Sequence, residues 1–319
     1  MVIAAVAIAA GLALLSYAPD RFVDGAAGLA DRWGLSRVLI GAVVIGFGTS
    51  TPELLVSGLA AAGGDPAVGV GNVLGSNMAN LALVVPLAAL ITPLAVPSGL
   101  LRVELPLVAA ATVAFAVAVQ DGLTRLEGVA LLLALVAALT LVVRRAGRER
   151  SPEDAELRAD VDEFLTEERA ETTRRLALVA VLGLLATLAG AQLLVTGAVE
   201  VADRLGLSGG FVGLTVIAIG TSLPELVTAA AAARAAEGEL ILGNVIGSNL
   251  FNALAVGAVI ALVGPGPLDD AGLTVGAVVL TLVITAAATA IMARGRTVTR
   301  TEALVLLVTY LATLPLLAA

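Results

Sequence analysis

Long apolar runs alternate with short polar segments along the whole chain, and the pattern repeats ten times. Most runs approach the ~20 mostly apolar residues that an α-helix needs to cross a bilayer. The predicted spans are Val2 to Ala18, Val38 to Ala62, Ala67 to Ile91, Val103 to Val119, Leu126 to Val143, Leu176 to Val199, Leu205 to Ala233, Leu240 to Val263, Ala271 to Ala293, and Ala303 to Ala319. The first run has no basic segment ahead of it, so we expect a retained helix rather than a signal peptide. The pattern predicts an all-α polytopic membrane protein with ten transmembrane helices.

One polar insertion, from Arg144 to Arg175, interrupts this pattern in the middle of the chain. Its apolar residues recur at helical spacing, which fits either an amphipathic helix at the membrane surface or a solvated linker. The insertion is too short to bury a core of its own and so to form a separate domain. We therefore expect a first five-helix repeat at 1–143, a loop at 144–175 and a second five-helix repeat at 176–319.

The basic residues are distributed unevenly between the two sides of the membrane that ten spans define. All 18 are arginine; sixteen fall in segments on one side, and only Arg125 and Arg204 fall on the other. Cytoplasmic loops are enriched in basic residues, so the side with sixteen is predicted to be cytoplasmic. We therefore expect a multi-pass protein of the plasma (cell) membrane, with the central loop in the cytoplasm and both termini extracytoplasmic.

Three motifs occur twice in the sequence, and the same offset separates the two copies of each. The first copies are DRWGLS from Asp31, GTSTPEL from Gly48 and GNVLGSNMAN from Gly71; the second are DRLGLS from Asp203, GTSLPEL from Gly220 and GNVIGSNLFN from Gly243. The constant offset indicates a gapless duplication. Because each unit holds five spans, an odd number, the second unit must enter the membrane from the opposite side. The sequence therefore predicts an inverted repeat, which many secondary transporters use for alternating access.

Glu53 in the second span and Glu225 in the seventh lie deep within apolar sequence. An acidic residue at the centre of a span costs roughly 2.5–3.5 kcal/mol on insertion scales, so it usually faces a cavity or a partner. Neither predicted span contains a basic residue. One alternative is an aqueous loop between two helices, but the flanking apolar pieces are too short to cross the bilayer. A second is a protonated structural glutamate. We favour a bound cation or proton as the partner.

The neighbours of both glutamates are suited to holding a cation. Gly, Thr and Ser interrupt the helix ahead of Pro52 and Pro224, which are well placed to begin a new helical turn. Such a break leaves main-chain carbonyls free to line a cavity. The nearby side-chain oxygens belong to Thr49, Ser50, Ser76, Asn80, Thr221, Ser222, Ser248 and Asn252. Gly and Ser alone would more often mark a helix-packing seam, but the acidic break in the preceding span favours a binding site.

The composition limits the chemistry of this site. The mean hydropathy is +1.03, and the chain has neither cysteine nor histidine, which excludes thiolate and imidazole ligands. Two carboxylates among neutral oxygens form a hard-cation site of the kind that Ca²⁺ occupies. Their charge balances one Ca²⁺ or two Na⁺. An intramembrane enzyme is the least supported class, because no pair of nucleophile and base is evident.

At these residues the chain resembles the sodium/calcium exchangers of the calcium/cation antiporter superfamily, whose two repeats carry G-T-S-x-P-E and G-N-x-x-G-S-N segments. The resemblance implies electrogenic exchange, commonly of three Na⁺ for one Ca²⁺, and helices broken at the ion site. It implies that Glu53 and Glu225 are shared ligands, that Asn80 and Asn252 are central amides, and that the hydroxyl residues above contribute oxygens. It also implies main-chain carbonyl ligands at Gly46 and Ala218. Some members have an aspartate at the position of Asn252, so this site has one ionisable group fewer.

The expected function is a secondary active antiporter that exchanges Na⁺ for Ca²⁺ by alternating access, without a cofactor. The expected direction is calcium extrusion driven by sodium entry. The alternatives are a Ca²⁺/H⁺ antiporter and a passive cation channel, although a channel does not need an inverted duplication. The resemblance also implies sliding of the first and sixth spans over a rigid core. Nothing indicates a nucleic-acid or protein partner, and a monomer is compatible with the sequence. Ser57 is expected to lie outside the cation cluster.

Overall fold

The structure, a computed structural model, describes residues 1–33, 50–146, 171–234, 238–268, 270 and 272–313, and these are mostly helical. The α-helices are α1 (Val2–Leu15), α2 (Ala18–Arg32), α3 (Thr51–Ala62), α4 (Pro66–Ala79), α5 (Val85–Ile91), α6 (Ser98–Arg102), α7 (Glu104–Ala118), α8 (Arg125–Ala146), α9 (Thr173–Leu205), α10 (Gly209–Val212), α11 (Ala218–Thr221), α12 (Leu223–Arg234), α13 (Gly238–Phe251), α14 (Gly257–Val263), α15 (Val278–Gly295) and α16 (Arg300–Thr313). π-Helical segments are π1 (Asn80–Val84), π2 (Gly213–Ile217), π3 (Asn252–Val256) and π4 (Gly272–Ala277). Two short strands are β1 (Leu94–Ala95) and β2 (Thr297–Val298).

Seven helical stretches of the described chain are long and apolar enough to cross a membrane. They are Val2–Arg32, Pro66–Ile91, Arg125–Val142, Thr173–Leu205, Gly209–Arg234, Gly238–Val263 and Gly272–Gly295. The fourth and tenth predicted spans correspond to the shorter helices α7 and α16. The described part of the second span is α3, and its first part, 38–49, lies outside the described residues. The same is true of residues 147–170 of the predicted loop.

The first span is longer than the sequence pattern predicts, so the expectation that it ends at Ala18 is wrong. After a short break at Ser16 and Tyr17 the chain resumes as α2, and the helical stretch runs to Arg32. The charged residues of α2 misled the prediction, because they share the helix with a buried face of small and apolar residues. The sixth span is likewise extended at both ends, to Thr173–Leu205.

Helices α1 and α2 pack against α9 through glycines that bring main chains into contact. A Cβ added to Gly11 would lie 2.7 Å from the amide nitrogen of Leu194, and one added to Gly25 would lie 2.5 Å from that of Ala180. The repeat-related glycines of α9 do the same, since Gly183 contacts the main chain of Phe22, and a Cβ on Gly197 would lie 2.7 Å from the carbonyl oxygen of Ala4. Small residues that allow such close approach are typical of helix interfaces in membranes.

The centre of the molecule is formed by two helical stretches, α4–π1–α5 and α13–π3–α14. In each, 78% of the residues in the most apolar 18-residue segment are buried. Short main-chain pairings connect the two halves of the chain around this core. Strand β1 pairs antiparallel with β2. Elsewhere Leu123 and Gly266 exchange two amide-to-carbonyl hydrogen bonds, each of 2.9 Å. These pairings link loops that follow different helices, and so restrain the helices of the core relative to one another.

The glycine interface gives a prediction about stability. Replacing Gly25 by Ala should destabilise the protein by about 1–3 kcal/mol, because the added methyl group overlaps the main chain of α9. Gly276→Ala is the matched control, since its added Cβ would have no described atom within 4 Å. Thermal unfolding of the detergent-solubilised variants would measure the difference. Equal melting temperatures for the two variants would contradict the close packing of α2 on α9.

Candidate cation-binding site

Both glutamates lie in the first turn of a helix that begins in the interior of the protein. Glu53 is in α3, which starts immediately after a turn at Ser50 and has a proline at its second position. In the second half, α11 ends at Thr221, Ser222 forms the break, and α12 begins at Leu223 with a proline at its second position. The prediction of a helix break ahead of Glu225 is therefore confirmed. In the first half of the chain, the predicted ligands Gly46 and Thr49 lie outside the described residues.

All ten of the predicted site residues that the structure describes are buried. They are Ser50, Glu53, Ser76, Asn80, Ala218, Thr221, Ser222, Glu225, Ser248 and Asn252, each with an exposed fraction of 3% or less. Ser76 Oγ and Thr221 Oγ1, from different halves of the chain, lie 3.5 Å apart. The carboxylates of Glu53 and Glu225 are close enough for their charges to repel each other. The structure thus brings residues of both repeats to one buried location.

The buried polar atoms that have no hydrogen-bond partner are concentrated at this location. Eleven such side-chain atoms occur among the described residues, and eight of them belong to predicted site residues. The eight are Ser50 Oγ, both carboxylate oxygens of Glu53, Asn80 Oδ1, Ser222 Oγ, Glu225 Oε2, and Oδ1 and Nδ2 of Asn252. Buried polar atoms are nearly always paired, and unpaired ones are costly. Seven of the eight are oxygens, so a bound cation would satisfy them.

Two asparagines that the sequence analysis did not select lie between the repeats. Asn77 Nδ2 donates to the carbonyl oxygen of Asn249 (3.4 Å), and Asn249 Nδ2 donates to that of Asn77 (3.2 Å). The two residues are separated by the same offset as the repeated motifs. Both belong to the GSN tripeptides, so the repeat contained a signal for them. The asparagine of this tripeptide therefore joins the two halves of the chain, and the serine before it is a predicted ligand.

Asn72 and Ser57 are two further residues that the sequence analysis did not select for the site. Ser57 was expected to lie outside the cation cluster, but its Oγ accepts a hydrogen bond of 2.9 Å from Asn72 Nδ2. Asn72 Oδ1 in turn accepts from Thr221 Oγ1 (3.2 Å) and Ser76 Oγ (3.4 Å). Ser57 is one helical turn after Glu53, so its position relative to α4 depends on tertiary packing that the sequence does not display.

Two of the π-helical segments begin at predicted site residues. Segment π1 starts at Asn80 and π3 starts at Asn252, its counterpart in the repeated motif. Single-turn π segments within α-helices are frequent at functional sites, because they change the direction of side chains and free main-chain groups. No residue pattern in the sequence predicted them, since the same residues would also fit a regular α-helix.

The two amides differ in their hydrogen bonds, although their main chains match. Asn80 Nδ2 donates to Asn249 Oδ1 over 2.9 Å. The repeat-related bond would join Asn252 Nδ2 to Asn77 Oδ1, and in the described structure neither of these atoms has a partner. Asn252 is thus the amide whose polar atoms are both unsatisfied, and it is also the position where the resemblance implies an aspartate in some members.

The donor set of the site is acidic and neutral oxygen only. No cluster of three or more Asp, Glu, His or Cys side chains occurs in the described part of the chain, so at most two acidic ligands meet here. Two carboxylates with hydroxyl, amide and carbonyl oxygens suit Ca²⁺ and Na⁺ and do not suit metals that need nitrogen or sulfur. Within a multi-pass helical protein, these features define the class of membrane cation transporters.

Comparison with known proteins identifies the family. The chain belongs to the sodium/calcium exchanger protein family, whose profile matches residues 3–144 and 175–318. It is therefore a transporter and not an enzyme. It is 40% identical over 277 residues to the putative antiporter CaxA of Alkalimonas amylolytica, covering 85% of this chain and 84% of that protein.

More distant relatives and solved structures agree. The sodium/calcium exchanger MaX1 of Methanosarcina acetivorans is 29% identical over 272 residues, covering 76% of this chain and 78% of that protein. The structure of the sodium-calcium exchanger NCX_Mj soaked with Na⁺ and Sr²⁺ matches with a TM-score of 0.65 and 29% identity, covering 98% of each chain.

The unequal bonding of the asparagines gives a prediction. Asn249→Ala should lower the free energy of unfolding by about 1–3 kcal/mol without added ions, because it removes the acceptor of the buried Nδ2 of Asn80 and the side-chain donor to the carbonyl of Asn77. Asn252→Ala removes a side chain with no described partner and should change stability much less. Chemical or thermal unfolding in ion-free detergent solution would compare them. A larger loss for Asn252→Ala than for Asn249→Ala would contradict this network.

Proposed function

We propose that the protein is a secondary active antiporter that exchanges Na⁺ for Ca²⁺ by alternating access, with sodium entry driving calcium extrusion. The observation that carries the proposal is the pair of buried carboxylates, Glu53 and Glu225, three of whose four oxygens lack hydrogen-bond partners. The named activities of the exchanger relatives support the choice of ions. We propose the residues assigned above, including Gly46 and Thr49, as the ligands.

Charge balance provides the coupling in this mechanism. Two carboxylates are neutralised either by one Ca²⁺ or by two Na⁺, so the two ions compete for the same oxygens. Without a cation, two ionised carboxylates would repel each other in a low-dielectric interior, which would oppose closure of the site from water. The protein then changes sides only when loaded, and ions do not leak. Neutral ligands such as Ser76 and Thr221 would set the affinity for each ion.

We further propose ten spans arranged as two inverted repeats, 1–143 and 176–319, joined by the loop 144–175. The reciprocal hydrogen bonds of Asn77 and Asn249 support this arrangement, because two residues related by a two-fold axis make equivalent contacts. The matched π segments at Asn80 and Asn252 support it as well. Inverted repeats of this type hold their substrates near the midplane, where the halves meet.

Access to the site would be controlled by the unit formed by α1, α2 and α9. The side chain of Leu12 in α1 lies against Gly220, the residue before Thr221. A glycine at this position leaves room for the leucine to cover the main chain next to the site. Sliding of α1 and α9 over the core would move this apolar cover and expose the site to one side of the membrane or the other.

Removal of either carboxylate tests the proposal. Glu53→Gln and Glu225→Gln should each reduce exchange to background, because a single remaining charge cannot balance Ca²⁺ in the membrane interior. Reconstituted liposomes loaded with Na⁺ would be followed for Ca²⁺ uptake. Thr281→Val is the control, since its buried hydroxyl bonds, in the described structure, only to the carbonyl of Ala277, four residues earlier in the same continuous helical stretch, and it should retain exchange.

The same liposomes separate the candidate mechanisms. Uptake driven by an outward H⁺ gradient, and not by Na⁺, K⁺ or Li⁺ gradients, would replace the proposal by Ca²⁺/H⁺ antiport. Ca²⁺ flux without any counter-ion gradient, with single-channel currents, would indicate a passive channel. Full exchange by both glutamine variants would contradict the assignment of the site.

Membrane sidedness is testable because the chain contains no cysteine. Ser98 and Asp121 are both exposed, and the arginine distribution places Ser98 on the cytoplasmic side and Asp121 on the extracytoplasmic side. In intact cells a membrane-impermeant thiol reagent should label Asp121→Cys, and it should label Ser98→Cys only after lysis. The opposite pattern would invert the proposed orientation, and labelling of both would contradict the count of spans between them.

A further inference from the structure

The side chain of Asn72 connects groups from both halves of the chain beside the proposed cation site. It is fully buried on α4. Its Nδ2 donates to Ser57 Oγ over 2.9 Å and to the main-chain oxygen of Glu53 over 3.5 Å. Its Oδ1 accepts from Thr221 Oγ1 and Ser76 Oγ over 3.2 and 3.4 Å. One amide thereby contacts the main chain of one proposed ligand and the hydroxyl groups of two others.

The orientation of this amide is determined by its surroundings. The carbonyl oxygen of Glu53 can only accept a hydrogen bond, so the nitrogen of the amide must face it. Ser57 directs its own proton to the carbonyl of Gly69 (3.5 Å), which leaves the lone pairs of Oγ for Asn72. Oδ1 is consequently turned toward Ser76 and Thr221. If the amide oxygen and nitrogen exchanged positions, the NH₂ group would face the hydroxyls of Ser76 and Thr221. The amide oxygen would then face the carbonyl oxygen of Glu53, which cannot donate a hydrogen bond.

A fixed acceptor at this position determines what the two hydroxyl groups present to a cation. Each hydroxyl has a single proton, and a proton donated to Asn72 leaves the oxygen lone pairs directed elsewhere. Thr221 has two acceptors in reach, Asn72 Oδ1 and the carbonyl of Ala218 at 3.3 Å. When its proton is on Asn72, the Ala218 carbonyl accepts only the main-chain N–H of Ser222 (3.1 Å) among these groups, and its second lone pair is not used by Thr221. A cation coordinated by these oxygens requires this arrangement.

We propose that Asn72 is a positioning residue of the cation site, and that Ser57 holds its amide in the orientation that accepts the protons of Ser76 and Thr221. The inference rests on the proposed function and deepens it, because neither residue is placed in contact with the ion. Both act through the direction in which the ligand hydroxyls point. Their contribution is therefore to the affinity of the site and not to its charge.

The contact between Ser57 and Asn72 has no equivalent residue pair in the second half of the chain. The repeat partner of Asn72 is Asn244, but the partner of Ser57 is Ala229, whose methyl group cannot accept a hydrogen bond. The orientation of the second amide cannot be set by the same contact. The serine on α3 is therefore one of the differences between the two halves at the proposed site.

Ion-dependent protection against thermal unfolding tests the inference on the intact purified protein. CaCl₂ and NaCl would be titrated separately into wild type, Ser57→Ala, Asn72→Ala and the double variant. Ser57→Ala should raise the concentration for half-maximal protection about fivefold, the effect of one neutral hydrogen bond. Asn72→Ala should raise this concentration further. Adding Ser57→Ala to Asn72→Ala should have no additional effect, because Ser57 then has no amide to orient.

Controls separate positioning from general stability. Thr112→Val removes a buried hydroxyl bonded to the Val108 carbonyl of its own helix, and it should change ion-free melting without changing the half-maximal concentrations. In liposomes, Ser57→Ala should raise the KM for Ca²⁺ and leave maximal exchange close to that of wild type. If Asn72→Ala does not fold, Ser57→Ala and its KM still decide the matter.

The outcomes are distinguishable. Protection of Ser57→Ala at the same ion concentrations as wild type would overturn the positioning role, as would additive effects in the double variant. Absence of protection of the wild type by either ion would instead contradict the proposed function. A shift in ion-free melting alone, equal to that of Thr112→Val, would reduce Ser57 to a packing residue and also overturn the inference.

Discussion

The structure is organised around the burial of two carboxylates in the interior of a membrane protein. Moving a carboxylate from water into a low-dielectric interior costs several kcal/mol even after relaxation, and two of them facing each other add repulsion. Arginines could offset this cost, but the pattern predicts all of them in loops and extensions outside the apolar runs. Under the proposed mechanism a transported cation supplies the missing charge, and transport becomes obligatory because the loaded site is the one that can be closed. The surrounding helix breaks, hydroxyls and amides then serve to provide oxygens without adding charge.

The main features of this arrangement could be predicted from the sequence because they depend on local chemistry and on the repeat. A charged residue within an apolar run, a proline before it and a constant offset between repeated motifs are visible without coordinates. The structure confirms the buried glutamates and the break at Ser222. The length of the first span was not predictable, because α2 combines charged residues with a buried apolar face. Hydropathy averaged along the sequence mixes the values of the two faces and hides the apolar one. The π segments were not predictable either, since they replace one helical hydrogen-bond pattern by another with the same residues.

The missed residues Asn72 and Ser57 show where the reasoning from sequence stops. Ser57 is four residues from Glu53, and a serine at that spacing in a membrane helix fits bonding to its own helix as well as to a neighbour. Its hydrogen bond to Asn72 depends on how α3 and α4 are rotated against each other. Only the packed structure gives this rotation. A motif therefore identifies the residues that could touch the ion more readily than those that orient them.

Two kinds of helix contact divide the molecule, and the division bears on how it could move. The core helices are linked by directional contacts, namely the reciprocal asparagine bonds, the pairing of β1 with β2, and the bonds between Leu123 and Gly266. Hydrogen bonds of this kind form only when the two elements are aligned in one register. Glycine contacts do not separate the two parts, because α1 and α2 contact α9 at glycines, and Gly71 and Gly75 of α4 are equally close to the main chain of α10 and π2 in the core. Between the proposed sliding unit and the core, Leu12 lies against Gly220 through an apolar contact. An apolar contact has no fixed register, so translation along it disrupts less than translation across the directional bonds of the core would. Under the proposed mechanism, this contrast allows the unit of α1, α2 and α9 to slide over the core beside the proposed ion site.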